Sequence, residues 1–437
     1  MKSSRFKNTK SLNFHLLKSA SGTIVLRGIN VVFNMLITVV LARVLGAKEF
    51  GTYSYVMVIV QFLVILASLG LPQIIVREVA INKAKNRWEP IKGIYLWSMA
   101  SSLGIALLIT MAVGVFAWIY KIHLGINLAI TLLIGLSILP LHTTLRMQEA
   151  FLRGLSFIIQ GQLPMQLIRS GLFLAVISMC LFFSKPLSPI KAIGIHAGSF
   201  GVAVIFSIFL IMNLVNLRGI KPQFDTKFWM RSMWAFYFIE IADTIYSYAD
   251  IFFLGTIKGP EDVGIYRIAH RLSFIIVLLT ISINVALSPT IAGLYAKGEK
   301  RLLESIIVKR TRILFLLTLP FTLLFVIWGS PLISIIFGRE FSPAAKPLCV
   351  LLIAQMIVVA MGPVRDLLNL TGYEYVTVRG LIFSMILIIP LCFILIPQWG
   401  AMGAALASSI NMVVVEFILT IQAIKLTGIH PTIFGKS

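Results

Sequence analysis

The chain has 437 residues, of which 58% are hydrophobic and only 12% are charged. A soluble domain is nearer to ~45–50% apolar and ~25% charged, so a single water-soluble core is excluded for this chain. The formal net charge of +22 does not indicate nucleic-acid binding, because the lysines and arginines lie in short loops between apolar runs of membrane length.

Apolar runs long enough to cross a bilayer recur from one end of the chain to the other. The first run follows a polar, basic start and has full membrane length, so we expect it to remain as a span and not to be cleaved as a signal peptide. The start of the fifth run is blurred by glutamines and an arginine. The twelve predicted spans are 22–42, 54–75, 94–120, 126–145, 162–183, 190–217, 228–254, 268–295, 313–337, 347–370, 376–396 and 401–424.

The basic residues between the spans are strongly asymmetric. With the N-terminus inside, the inner segments contain 23 lysines and arginines and the outer segments contain 8. Arg231 and Arg379, near the inner ends of spans seven and eleven, bring the inner total to 25. Because loops rich in Lys and Arg stay in the cytoplasm, this bias predicts that both termini are cytoplasmic and that the span count is even. We therefore expect a multi-pass protein of the cell (cytoplasmic or inner) membrane.

Three motifs occur in both halves of the chain. Glu49-Phe50-Gly51-Thr52-Tyr53 follows span one, and Asp262-Val263-Gly264-Ile265-Tyr266 follows span seven. A proline in span two matches one in span eight, and an Ala-x-Gly motif opens spans six and twelve. These matches predict two pseudo-symmetric lobes of six helices, residues 1–219 and 220–437, around a central cavity, as in alternating-access transporters with parallel repeats. The predicted fold class is an all-α integral membrane protein.

Signatures of an enzyme are not visible in the sequence. There is no P-loop, and no long loop carries paired acids or a Ser/His/Asp set. The three cysteines are far apart in apolar runs and the six histidines are scattered, which argues against a disulfide framework and a metal site. We expect no enzymatic activity and no cofactor.

Charged residues inside the predicted spans are the most informative signal, because a charge at mid-bilayer costs about 2.5–3.5 kcal/mol and normally faces a cavity or a partner. Glu240, Asp243 and Asp250 lie on one face of span seven. Span one carries Arg27, Asn30 and Asn34 at the same helical spacing. If spans one and seven are equivalent in the repeat, both polar stripes face the cavity between the lobes.

Structural explanations remain open for these charges. Asp250 can pair with Arg267 or Arg271 in the hairpin of spans seven and eight, and Arg27 can extend to the cytoplasmic interface. We expect three charged residues, Arg169, Arg365 and Asp366, at the interface rather than in the bilayer. Glu416 lies inside span twelve without a charged companion in the sequence nearby.

Several motifs together resemble the polysaccharide (O-antigen type) flippases of the multidrug/oligosaccharidyl-lipid/polysaccharide exporter superfamily. The motifs are Leu41-Ala42-Arg43-Val44-Leu45-Gly46, Glu49-Phe50-Gly51-Thr52-Tyr53, Leu69-Gly70-Leu71-Pro72, Leu152-Arg153-Gly154, Phe337-Gly338-Arg339-Glu340-Phe341 and Pro397-Gln398-Trp399-Gly400-Ala401-Met402-Gly403. The resemblance covers nearly the whole chain and implies two six-helix lobes. It also implies transport of a lipid-linked oligosaccharide from the inner to the outer leaflet.

A polyprenyl-diphosphate head group is anionic, and arginines offer it charge-assisted hydrogen bonds. We therefore predict that Arg27, Asn30, Asn34, Arg267 and Arg271 bind the substrate. Glu240, Asp243 and Asp250 are predicted to carry a coupling ion, H⁺ or Na⁺, because two carboxylates close together resist being ionised at once. A cation-coupled multidrug exporter is the alternative, and a membrane glycan polymerase or ligase is a third. The expected partners are a lipid-linked glycan, membrane lipid and other glycan-assembly membrane proteins.

Overall fold

The computed structural model describes residues 2–183 and 187–435, with side chains for all of these except 2–21, 24, 124, 285 and 286. Two of the basic residues in the charge count, Lys185 and Lys436, therefore lie outside the described residues. The described chain is helical nearly throughout, as the long apolar runs predict, since a helix satisfies its own backbone hydrogen bonds in lipid.

Fifteen α-helices follow one another along the described chain, with a π-helical turn at Pro164–Ile168 and a 3₁₀ turn at Arg339–Ala344. The α-helices are α1 Lys2–Ser68, α2 Leu71–Ala84, α3 Trp88–Ile119, α4 Lys121–Leu124, α5 Ile126–Gly135, α6 Ile138–Gly154, α7 Ile158–Leu163, α8 Arg169–Phe182, α9 Pro189–Leu214, α10 Thr226–Ile257, α11 Pro260–Ala296, α12 Lys300–Phe337, α13 Ala345–Met361, α14 Val364–Leu370 and α15 Glu374–Thr427.

The prediction of an all-α membrane protein is confirmed. Nine helical stretches of the described chain are long and apolar enough to cross a bilayer. Two of these stretches, Val25–Ser68 and Glu374–Thr427, are long enough to contain two predicted spans each. Predicted span seven corresponds to α10, which is absent from the nine because its acids and basic residues lower its hydropathy. The predicted twelve spans thus map onto these helices.

Glycines break the two longest helices. Gly46 (φ 74°, ψ 174°) breaks α1, and Gly400 (φ 53°, ψ −129°) breaks α15. Each break frees the amide of the following alanine, and a carboxylate accepts it: Glu340 Oε2 lies 2.9 Å from Ala47 N, and Asp262 Oδ1 lies 3.3 Å from Ala401 N. The helix segment after each break therefore begins with an acidic cap, which also complements the helix dipole.

The chain forms two compact units. The first consists of Met1–Val44 and Ile59–Ile241, and the second of Leu45–Val58 and Ala242–Ser437. The predicted lobes, 1–219 and 220–437, were drawn from the repeat and the span count, and their boundary stays a prediction. Each unit has its own core.

In the first unit, a buried apolar cluster joins α2, α3 and α6, with Ile75, Ile91 and Phe151 fully buried. Polar contacts add to this packing. Asn30 Nδ2 of α1 lies 2.7 Å from the carbonyl oxygen of Gln166 in the π-helical turn. Arg169, which was predicted at the membrane interface, has its Nη1 2.9 Å from His196 Nε2 of α9. A neutral imidazole accepting from a guanidinium satisfies an arginine inside the unit.

In the second unit, a buried cluster joins α11, α12, α14 and α15, with Leu303, Val364 and Leu419 near its centre. One crossing is unusually close: a Cβ placed on Gly51 would lie 1.6 Å from the carbonyl oxygen of Pro260, and one on Gly264 would lie 2.1 Å from that of Ala47. The segment after Gly46 and the start of α11 therefore pack backbone against backbone. Small residues at helix contacts are typical of packing in membranes, where lipid is as apolar as the helices.

Candidate functional site

A cavity of 660 Å³ lies within the second unit, between α10, α11, α12, α13, α14 and α15. Its volume is in the range of sites that bind drug-sized ligands. Its charged lining consists of four arginines, three carboxylic acids and one histidine: Arg267, Arg271, Arg310, Arg365, Asp250, Asp366, Glu416 and His270. With the histidine neutral, the lining has one more positive than negative charge.

Asp250 is held in the wall of this cavity by neutral donors. The side chain of Asp250 is 4% exposed. Its Oδ2 accepts from the hydroxyls of Tyr266, at 2.5 Å, and Ser408, at 2.7 Å, and its Oδ1 accepts from the amide of Ile251. A carboxylate with three donors is well solvated by the protein itself.

Glu416 and Arg365 form an ion pair on the wall between α14 and α15. Arg365 Nε lies 3.0 Å from Glu416 Oε2, and the Glu416 side chain is 7% exposed. The guanidinium of Arg365 also lies over the ring of Tyr246, 5.2 Å from its centroid. The charge of Glu416 is thus balanced by a cation in a water-poor position.

Arg310 reaches the cavity from α12. It donates to Asn284 Oδ1, and the Asn284 side chain in turn donates to Asp366 Oδ2. Arg310 is 6% exposed, and its Nε has no hydrogen-bond partner among the described residues. A buried arginine with an unused donor, lining a cavity, is equipped to bind one further acceptor.

The sequence explains how Arg365 and Asp366 come to lie in the cavity. α13 ends at Met361, and α14 begins only after Gly362 and Pro363. Because proline disfavours a continuous helix at this point, the chain turns, and the first turn of α14 directs both charged side chains to the cavity lining. These two residues were predicted at the membrane interface, which stays a prediction, and the structure shows that both line the cavity.

The structure brings together three of the predicted site residues in the second unit. Arg267, Arg271 and Asp250 all line the cavity. Asp243, by contrast, is exposed and does not belong to the lining. Among the described residues, Arg267 makes no ion pair. The functional roles predicted for these residues stay predictions.

The other predicted site residues belong to the first unit. Asn30 also donates to Ser170 Oγ, at 3.0 Å, so it joins α1 to α8. Asn34 donates to Asn30 Oδ1 of the same helix, at 2.8 Å. Arg27 is exposed. Glu240 Oε1 lies 2.9 Å from Arg146 Nη2 of α6. Asn30, Asn34 and Glu240 thus make hydrogen bonds and an ion pair inside the first unit. Their predicted part in substrate or ion binding stays a prediction.

Sequence reasoning missed Arg310, Arg365, Asp366 and Glu416 as members of the site. The sequence did contain a signal for the Arg365–Glu416 pair. An acid inside a span, such as Glu416, requires a cationic partner, and Gly362-Pro363 predicts a helix break just before Arg365. Arg310 had no such signal, since its position near the predicted inner end of span nine looked like an ordinary basic loop.

The lining can bind an anion with several oxygens. Arginines present planar, bidentate donor pairs that match phosphate and carboxylate oxygens. The excess of arginine over acid disfavours an organic cation as the ligand. The apolar residues Phe274, Val277, Ile281, Leu351 and Met412 complete the lining and exclude water from part of it.

Comparison with known proteins gives two family matches. The family described as polysaccharide biosynthesis protein matches residues 16–294, which is more than half of the chain. The MatE family matches residues 236–394.

Two curated relatives share weak but extended similarity. One, in Haloferax volcanii, is named as the probable low-salt glycan biosynthesis flippase Agl15, and it is 27% identical over 44% of this chain and 41% of its own length. The chain therefore spans less than half of this relative. The other, in Shigella flexneri, is named as an O-antigen transporter and is 24% identical over 87% of this chain and 90% of its own length.

A solved structure shares the fold. The inward-facing conformation of a multidrug resistance MATE family transporter of the MOP superfamily superposes with a TM-score of 0.76, at 13% identity, over 91% of this chain and 94% of that chain. At this level of identity, the similarity shows a common fold of the membrane helices and nothing about the transported compound.

Proposed function

Because the chain belongs to the polysaccharide biosynthesis protein family, we propose that it is a membrane flippase that moves a polyprenyl-diphosphate-linked glycan from the inner to the outer leaflet. The observation that carries this proposal is the arginine-rich cavity among membrane-spanning helices. Arginine is costly in a bilayer and is retained where it has a function, and a diphosphate is the anionic part of such a substrate.

The cavity has charged, polar and apolar lining residues, which suits an amphipathic substrate. The diphosphate binds the arginines, the sugars occupy the polar remainder of the 660 Å³ cavity, and the prenyl chain stays in the lipid. Alternating exposure of the site to the two leaflets moves the head group, and an ion gradient across the membrane drives the cycle. Both termini lie in the cytoplasm, and other glycan-assembly membrane proteins supply and consume the substrate.

A cation-coupled multidrug exporter is the second candidate, and the match to the MatE family favours it. Cationic drugs need an acidic or neutral site, whereas this lining has an excess of arginine. The names of the two curated relatives, a glycan biosynthesis flippase and an O-antigen transporter, also favour the glycan substrate. A glycan polymerase or ligase is the third candidate, and no long loop in the sequence carries residues for such a reaction.

The test is to replace Arg267 and Arg271 together by glutamine. Each charge-assisted hydrogen bond lost is worth about 1.5–3 kcal/mol, so we expect transport of a fluorescent lipid-linked oligosaccharide in reconstituted vesicles to fall at least ~10-fold. The double lysine variant keeps the charge but loses the bidentate geometry, so its defect should be milder.

The matched control is Arg218→Gln, since Arg218 is exposed between α9 and α10 and lies outside the cavity. It should transport at the wild-type rate. Full transport by the folded Arg267→Gln, Arg271→Gln protein would contradict the proposal. Efflux of an organic cation that increases in the same double variant would support the multidrug exporter instead.

A further inference from the structure

The three carboxylates of the cavity differ in the groups that neutralise them. Asp250 accepts from Tyr266, Ser408 and a backbone amide, and Asp366 accepts from the side chain of Asn284. The hydrogen-bond donors of both carboxylates are neutral, although Arg310 and Arg365 also lie within electrostatic reach of Asp366. The side-chain donor of Glu416 is the guanidinium of Arg365.

Arg365 is also within reach of a ligand. It lines the cavity together with Arg310, and it lies next in sequence to Asp366, which Asn284 links to Arg310. The buried Nε of Arg310 still has a hydrogen to donate. The first turn of α14, with Arg365, and α12, with Arg310, thus bring two guanidinium groups to the cavity lining. The first is in an ion pair and the second has an unused donor.

Charge balance limits what this wall can accept. In the empty cavity the arginines exceed the acids by one, with His270 neutral. A diphosphate that is esterified at both ends carries one negative charge on each phosphate, so its binding would leave the site with one uncompensated negative charge. Such a charge in a low-dielectric site is costly, and uptake of one proton removes it.

We propose that Glu416 is a proton-binding site, which takes up a proton when the phosphate of the substrate displaces it from Arg365. This inference rests on the proposed function, because it takes a diphosphate ester as the ligand. Arg365 exchanges one oxyanion for another, and Glu416, left without its cation in a buried position, accepts a proton from water. Release of the phosphate restores the Arg365–Glu416 pair and expels the proton.

The surroundings of Glu416 contain two further titratable groups. Tyr246 packs against Arg365 through its ring, and Asp243 is exposed but lies within electrostatic reach of Arg365. The remaining charged groups that face the cavity are those already named: Asp250, Arg267, His270, Arg271, Arg310 and Asp366. Asp243 and Asp366 are the competing proton acceptors, because each loses attraction to Arg365 when a phosphate binds there.

Proton uptake on binding can be measured directly on the purified full chain. The probe is geranyl-diphospho-N-acetylglucosamine, whose two phosphates are both esterified and do not titrate near neutral pH. Added to the protein in weakly buffered detergent solution with a pH indicator, it should cause uptake of about one proton per molecule bound. Its affinity should accordingly fall by about tenfold for each pH unit above neutrality.

The Glu416→Gln variant should bind the probe without proton uptake and with an affinity that does not change between about pH 6.5 and pH 8, because the amide mimics the protonated acid. Glu416→Asp keeps a titratable group and should keep the uptake. The matched control, Glu261→Gln, removes an exposed acid at the start of α11, and proton uptake should be unchanged.

The outcomes separate the two proposals. Wild-type protein that binds the probe without taking up a proton overturns the role of Glu416 and leaves the flippase proposal standing. Uptake that survives in Glu416→Gln but is lost in Asp243→Asn or in Asp366→Asn also overturns it and assigns the proton to the residue whose replacement abolishes the uptake. Wild-type protein that does not bind the probe contradicts the proposed function, and this inference falls with it.

Discussion

Asp250 and Tyr266 show how a single buried hydroxyl stabilises a charge in the wall of the cavity. The Tyr266 side chain is fully buried, and its hydroxyl donates to Asp250 at 2.5 Å. Ser408 donates to the same carboxylate oxygen. If the tyrosine hydroxyl is removed, Asp250 keeps its position but loses one of its three donors.

We therefore expect Tyr266→Phe to destabilise the protein by about 1–3 kcal/mol, because a buried acceptor is left partly unsatisfied. Thermal unfolding in detergent would show this as a lower midpoint. Tyr248→Phe is the matched control, since Tyr248 lines the same cavity but makes no side-chain hydrogen bond in the described structure. Equal midpoints for the two variants would mean that the Tyr266 hydroxyl does not support Asp250.

At the scale of single helices, the crossing between the segment after Gly46 and the start of α11 is the tightest constraint. The carbonyl oxygen of Pro260 lies where a side chain on Gly51 would begin. Acidic caps reinforce both neighbouring breaks, Glu340 at Ala47 and Asp262 at Ala401. The close backbone contact and the two acidic caps together fix the positions of the helix segments that begin after Gly46, at Pro260 and after Gly400.

Gly51→Ala should force the two backbones apart and lower stability by about 1–3 kcal/mol or more, as overpacking does in a close-packed interior. Gly104→Ala is the control: a Cβ on Gly104, in the middle of α3, meets no atom within 4 Å. Alanine favours helix more than glycine does, so this variant should be neutral or more stable by about 0.5–1 kcal/mol. Comparing the unfolding midpoints of the two variants tests the crossing, and a Gly51→Ala protein as stable as Gly104→Ala would refute it.

The helices themselves could be predicted because the lipid imposes one period and one length on every span. Pairings between helices could not, because they depend on contacts far apart in sequence. Glu416 had no charged neighbour in the sequence, yet Arg365, 51 residues earlier, pairs with it. The spacing of Asn30 and Asn34 predicted a shared polar stripe, but nothing in the sequence indicated that Gln166 and Ser170 would accept from Asn30, or that Asn30 would accept from Asn34.

At the scale of the whole molecule, the distribution of basic residues predicts the orientation of the chain in the membrane. Lys85 is exposed at the end of α2, on the predicted cytoplasmic side. Lys121 begins α4 on the predicted outer side, and its ammonium lies 4.1 Å from the ring centroid of Trp118. A tryptophan beside a lysine is typical of a membrane–water interface.

In a background without the three native cysteines, a membrane-impermeant thiol reagent applied from outside should label Lys121→Cys and not Lys85→Cys. Permeabilised cells should label both, which shows that the unlabelled site is accessible once the barrier is gone. Labelling of Lys85→Cys alone in intact cells would reverse the predicted topology and with it the cytoplasmic termini.

Gly51 and Gly264 occupy the same place in the repeated motif, and they also lie beside each other: a Cβ on Gly264 would be 3.1 Å from the amide nitrogen of Gly51. Each glycine therefore keeps the position of the other closed to any side chain, because a Cβ on either one would meet the backbone of the segment that carries the other. The two copies of the motif thus constrain each other, and a residue with a side chain at one of them would require both backbones to move.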